Sequence, residues 1–292
     1  MNGRIHTIRI GLFILLLGGG PTPAQGQISV LDAYDFSKDG GHEIRLPRGL
    51  DEVSGLAMTP EGRLFAHGDE RAIIYELELE SGRILKAFSA GFEGVRGDFE
   101  GIALAGQRFF LSTSTGEIVE TEEGSPGSAM GYQVHLTDLG ERCELEGMAF
   151  DPEANALLLP CKEVRGREMR DHIVVFSVEV STMTVAQVPR IFLPLDELEE
   201  MGLKGSFSPS GIEVDPESGN LFLISARGEA ILEFSSQGRL LGVRNLKKKN
   251  HAQPEGITFD PRGALLLADE GQRKRGRLTR YPRRDQEEGV PR

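Results

Sequence analysis

The chain has 292 residues, of which 27% are charged and 39% are hydrophobic, with 37 Gly, 15 Pro, two Cys and no Trp. This composition excludes an intrinsically disordered chain and a small scaffold held together by disulfides. The formal net charge of -12 argues against a protein that binds nucleic acid or anionic membranes over its general surface, because its own field would oppose either partner.

The first 26 residues have the order of a secretory signal. Arg4 and Arg9 precede an apolar run over residues 10–17, and small residues and prolines follow it. The run is too short to cross about 30 Å of hydrocarbon. We therefore expect cleavage and export to the periplasm or the cell exterior, with an uncleaved membrane anchor as the alternative. Residues 27–41 are then predicted to be an N-terminal linker, and residues 282–292 a charged tail.

Five copies of a short unit organise the chain between these ends. In four copies a turn rich in Pro and Gly or Asn separates two apolar strands, which indicates a β-hairpin. A third alternating strand follows, and in some copies a fourth. The copies are marked by a Gly in the first strand, at Gly55, Gly101, Gly147, Gly211 and Gly256.

Four strands in a repeat of about 45 residues are typical of a β-propeller blade. Small residues in the first strand suit the crowded position nearest the propeller axis. The last unit lacks a fourth strand, whereas residues 42–46 form a spare strand before the first unit. Their pairing is predicted to close the ring and remove exposed sheet edges. We expect an all-β, five-bladed propeller over residues 42–281, and a six-bladed propeller is the less favoured alternative. Residues 195–201 predict a short helix before the fourth unit.

The repeated Glu-Gly-Ile units, the aspartyl-prolyl hairpins and the export signal carry a family resemblance. On these motifs the chain resembles the SdiA-regulated family of bacterial propellers, of the YjiK/CarP type, and is more distantly similar to NHL-repeat and esterase-like phytase propellers. The resemblance implies a five-bladed propeller that binds calcium and is linked to calcium response. Ser54 and Ser210 stand where the other three units carry Glu.

Carboxylates concentrate where the first strands begin. Three blades carry Glu directly before the unit Gly, and these side chains are predicted to converge on one mouth of the central channel. Antiparallel pairing also brings Gln253 near Glu270, and it brings Glu52 near Glu70, with Asp69 beside them, where like charges call for a cation. Oxygen ligands without converging His or Cys favour Ca²⁺. The predicted calcium ligands are Glu52, Glu70, Glu100, Glu146, Glu255 and Glu270. The alternative interpretation is that these carboxylates accept backbone hydrogen bonds and join the blades without metal.

Three further features accompany this set. Cys143 and Cys161 flank one hairpin at nearly opposite positions, which favours a disulfide in an exported protein over the alternative of two free thiols. The histidines lack metal-ligand spacing, and His67 and His251 are expected in solvated loops. Basic loops on the same face either form an anion-binding rim or are simply solvated; they contain Lys247, Lys248, Lys249, Arg273, Lys274 and Arg275.

The leading hypothesis is an exported, calcium-binding propeller that acts as a recognition or calcium-response module. We expect a monomer whose partner is an anionic small molecule or a protein. The first alternative is a calcium-dependent, phosphoesterase- or lactonase-like hydrolase on the same face, with Glu100, Glu146 or Glu255 as base. The second is a metal-free scaffold for protein interaction.

Overall fold

The computed structural model describes residues 29–272 and 274–284, so the predicted secretory signal and most of the charged tail lie outside the described residues. The described chain forms five sheets arranged as the blades of a β-propeller, as the repeats predict. It contains one short α-helix, α1 (Asp196–Glu200), inside the predicted helical segment. Within these residues no helix is long and apolar enough to cross a membrane.

The strands are numbered along the chain from β1 (His42–Arg45). Blade 1 contains β2 (Val53–Met58), β3 (Leu64–Gly68), β4 (Ile73–Leu77) and β5 (Ile84–Ala90). Blade 2 contains β6 (Phe99–Ala105), β7 (Arg108–Thr113), β8 (Glu117–Glu122) and, after the short β9 (Ala129–Met130) that extends blade 1, β10 (Tyr132–Leu136). Blade 3 contains β11 (Cys143–Leu145), β12 (Ala149–Asp151), β13 (Ala156–Val164), β14 (His172–Glu179), β15 (Thr184–Val185) and β16 (Ile191–Pro194). Blade 4 contains β17 (Gly211–Val214), β18 (Leu221–Ser225), β19 (Ala230–Phe234) and β20 (Leu240–Asn245). Blade 5 contains β21 (Pro254–Phe259), β22 (Leu265–Asp269) and β23 (Arg277–Tyr281).

The ring closes through β1, which pairs antiparallel with β23 and becomes the outer strand of blade 5. Ile44 lies opposite Leu278, and both side chains are buried. The Arg277 guanidinium also forms an ion pair with Glu43, with 3.0 Å between Nη1 and Oε2. The predicted closure is confirmed.

Residues 31–36, within the predicted N-terminal linker, pack on the propeller. Leu31, Tyr34 and Phe36 are buried against apolar residues of blades 4 and 5. The Tyr34 hydroxyl donates a hydrogen bond of 2.8 Å to the Gly263 carbonyl. Burial of these apolar side chains is favourable enough to hold the segment in place.

The hydrophobic core is divided among the blade interfaces. The described residues form five buried clusters, and each one fills the space between two neighbouring blades. Alternating strand residues supply the apolar layers, because successive side chains point to opposite faces of a blade.

The repeat glycines form a ring around the propeller axis, where each one contacts the next blade. A Cβ added to Gly101 would lie 2.4 Å from the Gly147 carbonyl carbon, and one added to Gly147 would lie 2.8 Å from the Gly211 Cα. A Cβ on Gly211 would meet the Glu255 carbonyl oxygen at 2.5 Å. Contacts from Gly256 to Gly55 and from Gly55 to the Ile102 side chain complete this glycine ring. The innermost strands can approach this closely only without side chains.

Blade 3 departs from the regular pattern because its innermost strand is interrupted. Residues 146–148 separate β11 from β12, and Gly147 has a φ of +93°, which favours glycine. Cys143 of β11 and Cys161 of β13 are joined by a disulfide with a Cα–Cα distance of 5.6 Å.

We predict that Gly101→Ala lowers the free energy of unfolding by about 3 kcal/mol, because its Cβ would overlap backbone atoms that cannot move independently. Urea denaturation would measure the loss. Gly131→Ala is the matched control, since its Cβ meets nothing within 4 Å and its φ is not positive. A cost at Gly101 no larger than at Gly131 would contradict the close packing of the ring.

We predict that replacing Cys143 and Cys161 by Ala lowers the free energy of unfolding by about 3 kcal/mol, because the crosslink restricts the unfolded chain. Denaturation of the oxidised protein and of the double variant measures this difference. Adding reductant to the wild type should abolish it. Alkylation of both thiols in unreduced, denatured protein from an oxidising compartment would contradict the pairing.

Candidate functional site

The predicted carboxylates lie at the end of the axis where the innermost strands begin. We call this end the acidic mouth, formed by Glu52, Glu70, Glu100, Glu146, Glu255 and Glu270. The structure couples its members electrostatically: Glu100 interacts with Glu146 and Glu255, and Glu52 interacts with Glu270 and Glu70. Carboxylates from four blades therefore share one electrostatic environment.

Burial and mutual repulsion favour the neutral acids here. Burial, followed by the charges of Glu146 and Asp98, raises the pKa of Glu100 to about 9. Burial also raises the pKa of Glu255 to about 8, and the Glu270 carboxylate adds to the effect. The pKa of Glu52 is raised chiefly by the nearby charge of Asp69. The acidic mouth is an environment that a cation would stabilise.

Lys162 supplies one positive charge that the sequence interpretation did not assign to the site. Its Nζ lies 3.0 Å from Glu146 Oε2 and 3.2 Å from Glu144 Oε1. Burial raises the pKa of Glu146, and the ammonium opposes that rise. Lys162 lies on β13, the second strand of the blade-3 hairpin, close to the position that Glu70 and Glu270 occupy after the second strands of blades 1 and 5. This shared position is the pattern that could have revealed it.

Gln253 separates two carboxylates of blade 5. Its Nε2 donates a hydrogen bond of 2.7 Å to Glu255 Oε1 and another to Glu270 Oε2. The backbone confirms the predicted register, because the Glu270 N–H bonds the Gln253 carbonyl at 2.9 Å. In blade 4 the residue directly before the repeat glycine is the neutral Ser210, where blade 5 has Glu255. The Ser210 hydroxyl donates a hydrogen bond of 2.6 Å to the Pro254 carbonyl and so joins blades 4 and 5.

A small cavity of about 250 Å³ adjoins the acidic mouth in blade 1. We call it the blade-1 cavity, and its wall includes Asp51, Glu52, Asp69 and Glu70. Asp51 Oδ1 is buried and has no hydrogen-bond partner among the described residues. Arg71 also lines the cavity, but its Nη1 donates to the Glu93 carbonyl at 2.9 Å.

The donor set of the blade-1 cavity fits a hard divalent cation. Its carboxylates supply oxygen donors, and Asp51 Oδ1 is a buried acceptor without a hydrogen-bond donor among the described residues. In the side-chain conformations of the described part, no three His, Cys, Asp or Glu residues are already arranged as a metal site. Exposed Glu52 and Glu70 are the side chains free to move towards such an ion.

The basic loops remain on the surface. Lys247, Lys248 and Lys249 are exposed, and Lys248 Nζ lies 3.4 Å from Glu229 Oε1. Lys274 and Arg275 are also exposed, whereas Arg273 lies outside the described residues. An anion-binding rim stays a prediction.

Two histidines are buried, which corrects their interpretation as solvated loop residues. His67 lies on β3 against Gly55, and burial lowers its pKa to about 4. His251 is enclosed between Asp269 and Tyr281, with His251 Nδ1 at 2.9 Å from Asp269 Oδ2 and Nε2 at 2.5 Å from the Tyr281 hydroxyl. Both side chains are buried inside the propeller. The sequence placed them in loops, and a loop position does not reveal that a side chain points inwards.

Comparison with known proteins agrees with this architecture. A family model described as SdiA-regulated matches residues 42–273, which is most of the propeller. The chain belongs to the SdiA-regulated family. The resemblance inferred from the repeats is therefore confirmed.

Solved structures show the same fold at low sequence identity. A luciferin-regenerating enzyme is 13% identical with a TM-score of 0.53, and the match covers 83% of this chain and 95% of that one. Glutaminyl cyclase from Myxococcus xanthus is 16% identical with a TM-score of 0.54, over 82% and 94% of the two chains. The PQQ-bound aldose sugar dehydrogenase from Streptomyces coelicolor is 14% identical with a TM-score of 0.50, over 82% and 98%. These likenesses concern the fold alone.

We predict that, without divalent cations, the free energy of unfolding falls by several kcal/mol, on the order of 5, between pH 5 and pH 9. Glu100 and Glu255 have raised pKa values in the folded state, so the folded protein holds more protons than the unfolded chain in this interval. Their stabilising protonation is complete below the unfolded pKa and is lost as the pH rises through the folded values. Glu100→Gln and Glu255→Gln should flatten the profile in urea denaturation.

Glu80→Gln, in the exposed turn after β4, is the control for this profile and should leave it unchanged. A profile of equal slope in the wild type and in the Glu100→Gln/Glu255→Gln double variant would contradict the raised pKa values.

Proposed function

We propose that the protein is an exported calcium-binding module, in which Ca²⁺ binds at the blade-1 cavity and the neighbouring carboxylates of the acidic mouth. The observation that carries this proposal is the orphaned, buried Asp51 Oδ1 in a cavity walled by three further carboxylates. A buried acceptor without a partner is costly, and a bound cation would remove that cost.

The residues that would hold the ion are Asp51, Glu52, Asp69 and Glu70. Ca²⁺ accepts six to eight oxygen ligands in irregular geometry, so carboxylates on two neighbouring strand ends are suitable donors. The ion would supply positive charge and a link between the two loops that border the cavity. Glu52 and Asp69 now repel each other, since Asp69 is the main cause of the raised pKa of Glu52.

The distribution of charge favours this side of the acidic mouth over the other. On blade 3, the single positive charge of Lys162 already offsets part of the negative charge of Glu144 and Glu146. On blades 1 and 5, only Gln253 lies between Glu255 and Glu270, and an amide carries no charge. A calcium ion is therefore better accommodated near blade 1, away from the Lys162 ammonium.

Export and a role in recognition complete the proposal. The N-terminal sequence has the order of a secretory signal, and the Cys143–Cys161 disulfide suits an oxidising compartment. Calcium would convert a strongly repulsive face into one that accepts an anionic small molecule or an acidic protein segment. The exposed Lys247, Lys248 and Lys249 would extend that acceptance around the rim.

We predict that saturating Ca²⁺, at about 100 times its Kd, raises the free energy of unfolding by about 2.7 kcal/mol. Calorimetric titration and thermal melting of the EDTA-treated protein measure binding and stabilisation. The Asp51→Asn/Glu52→Gln double variant should lose both effects, because it keeps side-chain shape and removes two charges.

Two variants make this test specific. Glu80→Gln, at the opposite face, should bind Ca²⁺ as the wild type does. Lys162→Met should bind it at least as tightly, since a repelling ammonium is gone. Undiminished calcium stabilisation in the Asp51→Asn/Glu52→Gln variant would place the ion elsewhere, and a wild-type melting temperature unaffected by Ca²⁺ would refute the function.

A further inference from the structure

The propeller axis has a second open end, on the face where the hairpins of the innermost strands turn. A cavity of about 1400 Å³ occupies this end, and all five blades contribute to its wall. We call it the hairpin-face funnel; its wall includes Met58, Leu104, Phe150, Glu213 and Phe259. The glycine ring lies between the funnel and the acidic mouth. A funnel of this size accommodates an organic molecule, because small-molecule sites usually measure about 300–1,000 Å³.

The funnel wall offers apolar surface beside polar groups. Met58, Leu104 and Phe150 are only partly buried, although each lines the cavity. An apolar ligand body that covers these side chains would remove their surface from water. Ligand sites commonly combine such apolar walls with a few polar groups that fix orientation.

Glu213 is the polar group at the centre of this argument. It lies on β17, the innermost strand of blade 4, and its Oε1 accepts a hydrogen bond of 2.8 Å from the Val214 N–H. The Thr258 hydroxyl of blade 5 donates to the same carboxylate, and burial raises the pKa of Glu213 to about 7. Within the described residues, no Lys, Arg or His forms an ion pair with it.

The basic side chains of the funnel wall already have partners. Arg63 binds Glu76, with 2.7 Å between Nη2 and Oε2, and it also binds Glu123. Lys86 contacts the same two carboxylates. The exposed part of the wall adds further acidic residues, at Glu61, Glu122 and Glu153. The funnel thus has a surplus of negative charge, which favours a cationic ligand.

We propose that the hairpin-face funnel binds a small organic cation, a protonated amine on an apolar body. The amine pairs with Glu213, and the body packs against Leu104 and Phe150. A calcium ion does not suit this position, because it needs six to eight oxygen ligands and the Glu213 carboxylate already accepts hydrogen bonds from the Val214 N–H and the Thr258 hydroxyl. The site is separate from the calcium site and does not depend on it.

Three probes of similar shape test the charge preference: phenethylamine, 2-phenylethanol and 3-phenylpropionate. Calorimetry with the full-length protein in EDTA should give a Kd for the amine on the order of millimolar or tighter. The alcohol should bind about tenfold more weakly, and the carboxylate should bind least. Glu213→Gln should weaken amine binding about tenfold or more and leave alcohol binding unchanged, since only a charged partner is removed.

Two further variants locate the site. Leu104→Trp fills part of the funnel and should weaken both the amine and the alcohol. Glu80→Gln is the matched control, because it removes an acidic side chain from the turn between β4 and β5, outside the funnel wall. It should bind the amine as the wild type does, and melting curves establish that each variant is folded.

Three results would overturn the proposal: no amine binding to the wild type at millimolar concentration, equal amine affinity in Glu213→Gln, or tighter binding of phenylpropionate than of the amine. Repeating the titrations in saturating Ca²⁺ separates the two sites. Loss of calcium binding in Asp51→Asn/Glu52→Gln with amine binding intact would support both proposals, and each can fail without the other.

Discussion

The close approach of five innermost strands at the axis is the constraint on which this structure depends. The strands meet at the glycine ring, where a Cβ on Gly101, Gly147 or Gly211 would overlap backbone atoms of the next blade. Because the blades are fixed there, each hydrophobic cluster fills one interface between neighbours. The ring also divides the axis into two ends with different chemistry, the acidic mouth and the hairpin-face funnel.

Closure of the propeller rests on polar contacts as well as strand pairing. Asp269, His251 and Tyr281 form a fully buried hydrogen-bonded series in blade 5, the blade that β1 completes. Arg277 ties this blade to β1 through Glu43 and to the preceding loop through the Asn250 carbonyl. Satisfied buried polar networks specify one arrangement, because any displacement leaves a group unpaired. The buried series therefore fixes the strands of blade 5, and the Arg277–Glu43 ion pair adds a polar contact between this blade and β1.

Much of the fold could be predicted because the relevant information is local and periodic. The hairpin turns fix the register, so the neighbours Gln253 and Glu270 follow from sequence, and a missing fourth strand beside a spare first strand predicts the closure. Contacts between blades are different. The cavity around Glu213 and the contact of Glu213 with the Thr258 hydroxyl arise where separate blades meet, and no spacing within one blade encodes them. Packing of Leu31 and Tyr34 was missed for the same reason.

Both ends of the axis divide their charges in the same way. At the acidic mouth, the Lys162 ammonium binds Glu146, whereas the buried Asp51 Oδ1 has no hydrogen-bond partner among the described residues. In the funnel, Arg63 and Lys86 are paired on one wall, and Glu213 on another has only hydrogen-bond donors. The chain therefore pairs its partly exposed lysine and arginine side chains with neighbouring carboxylates. Leaving a carboxylate uncompensated costs stability, so these two groups are where a bound ligand would gain most by supplying the positive charge.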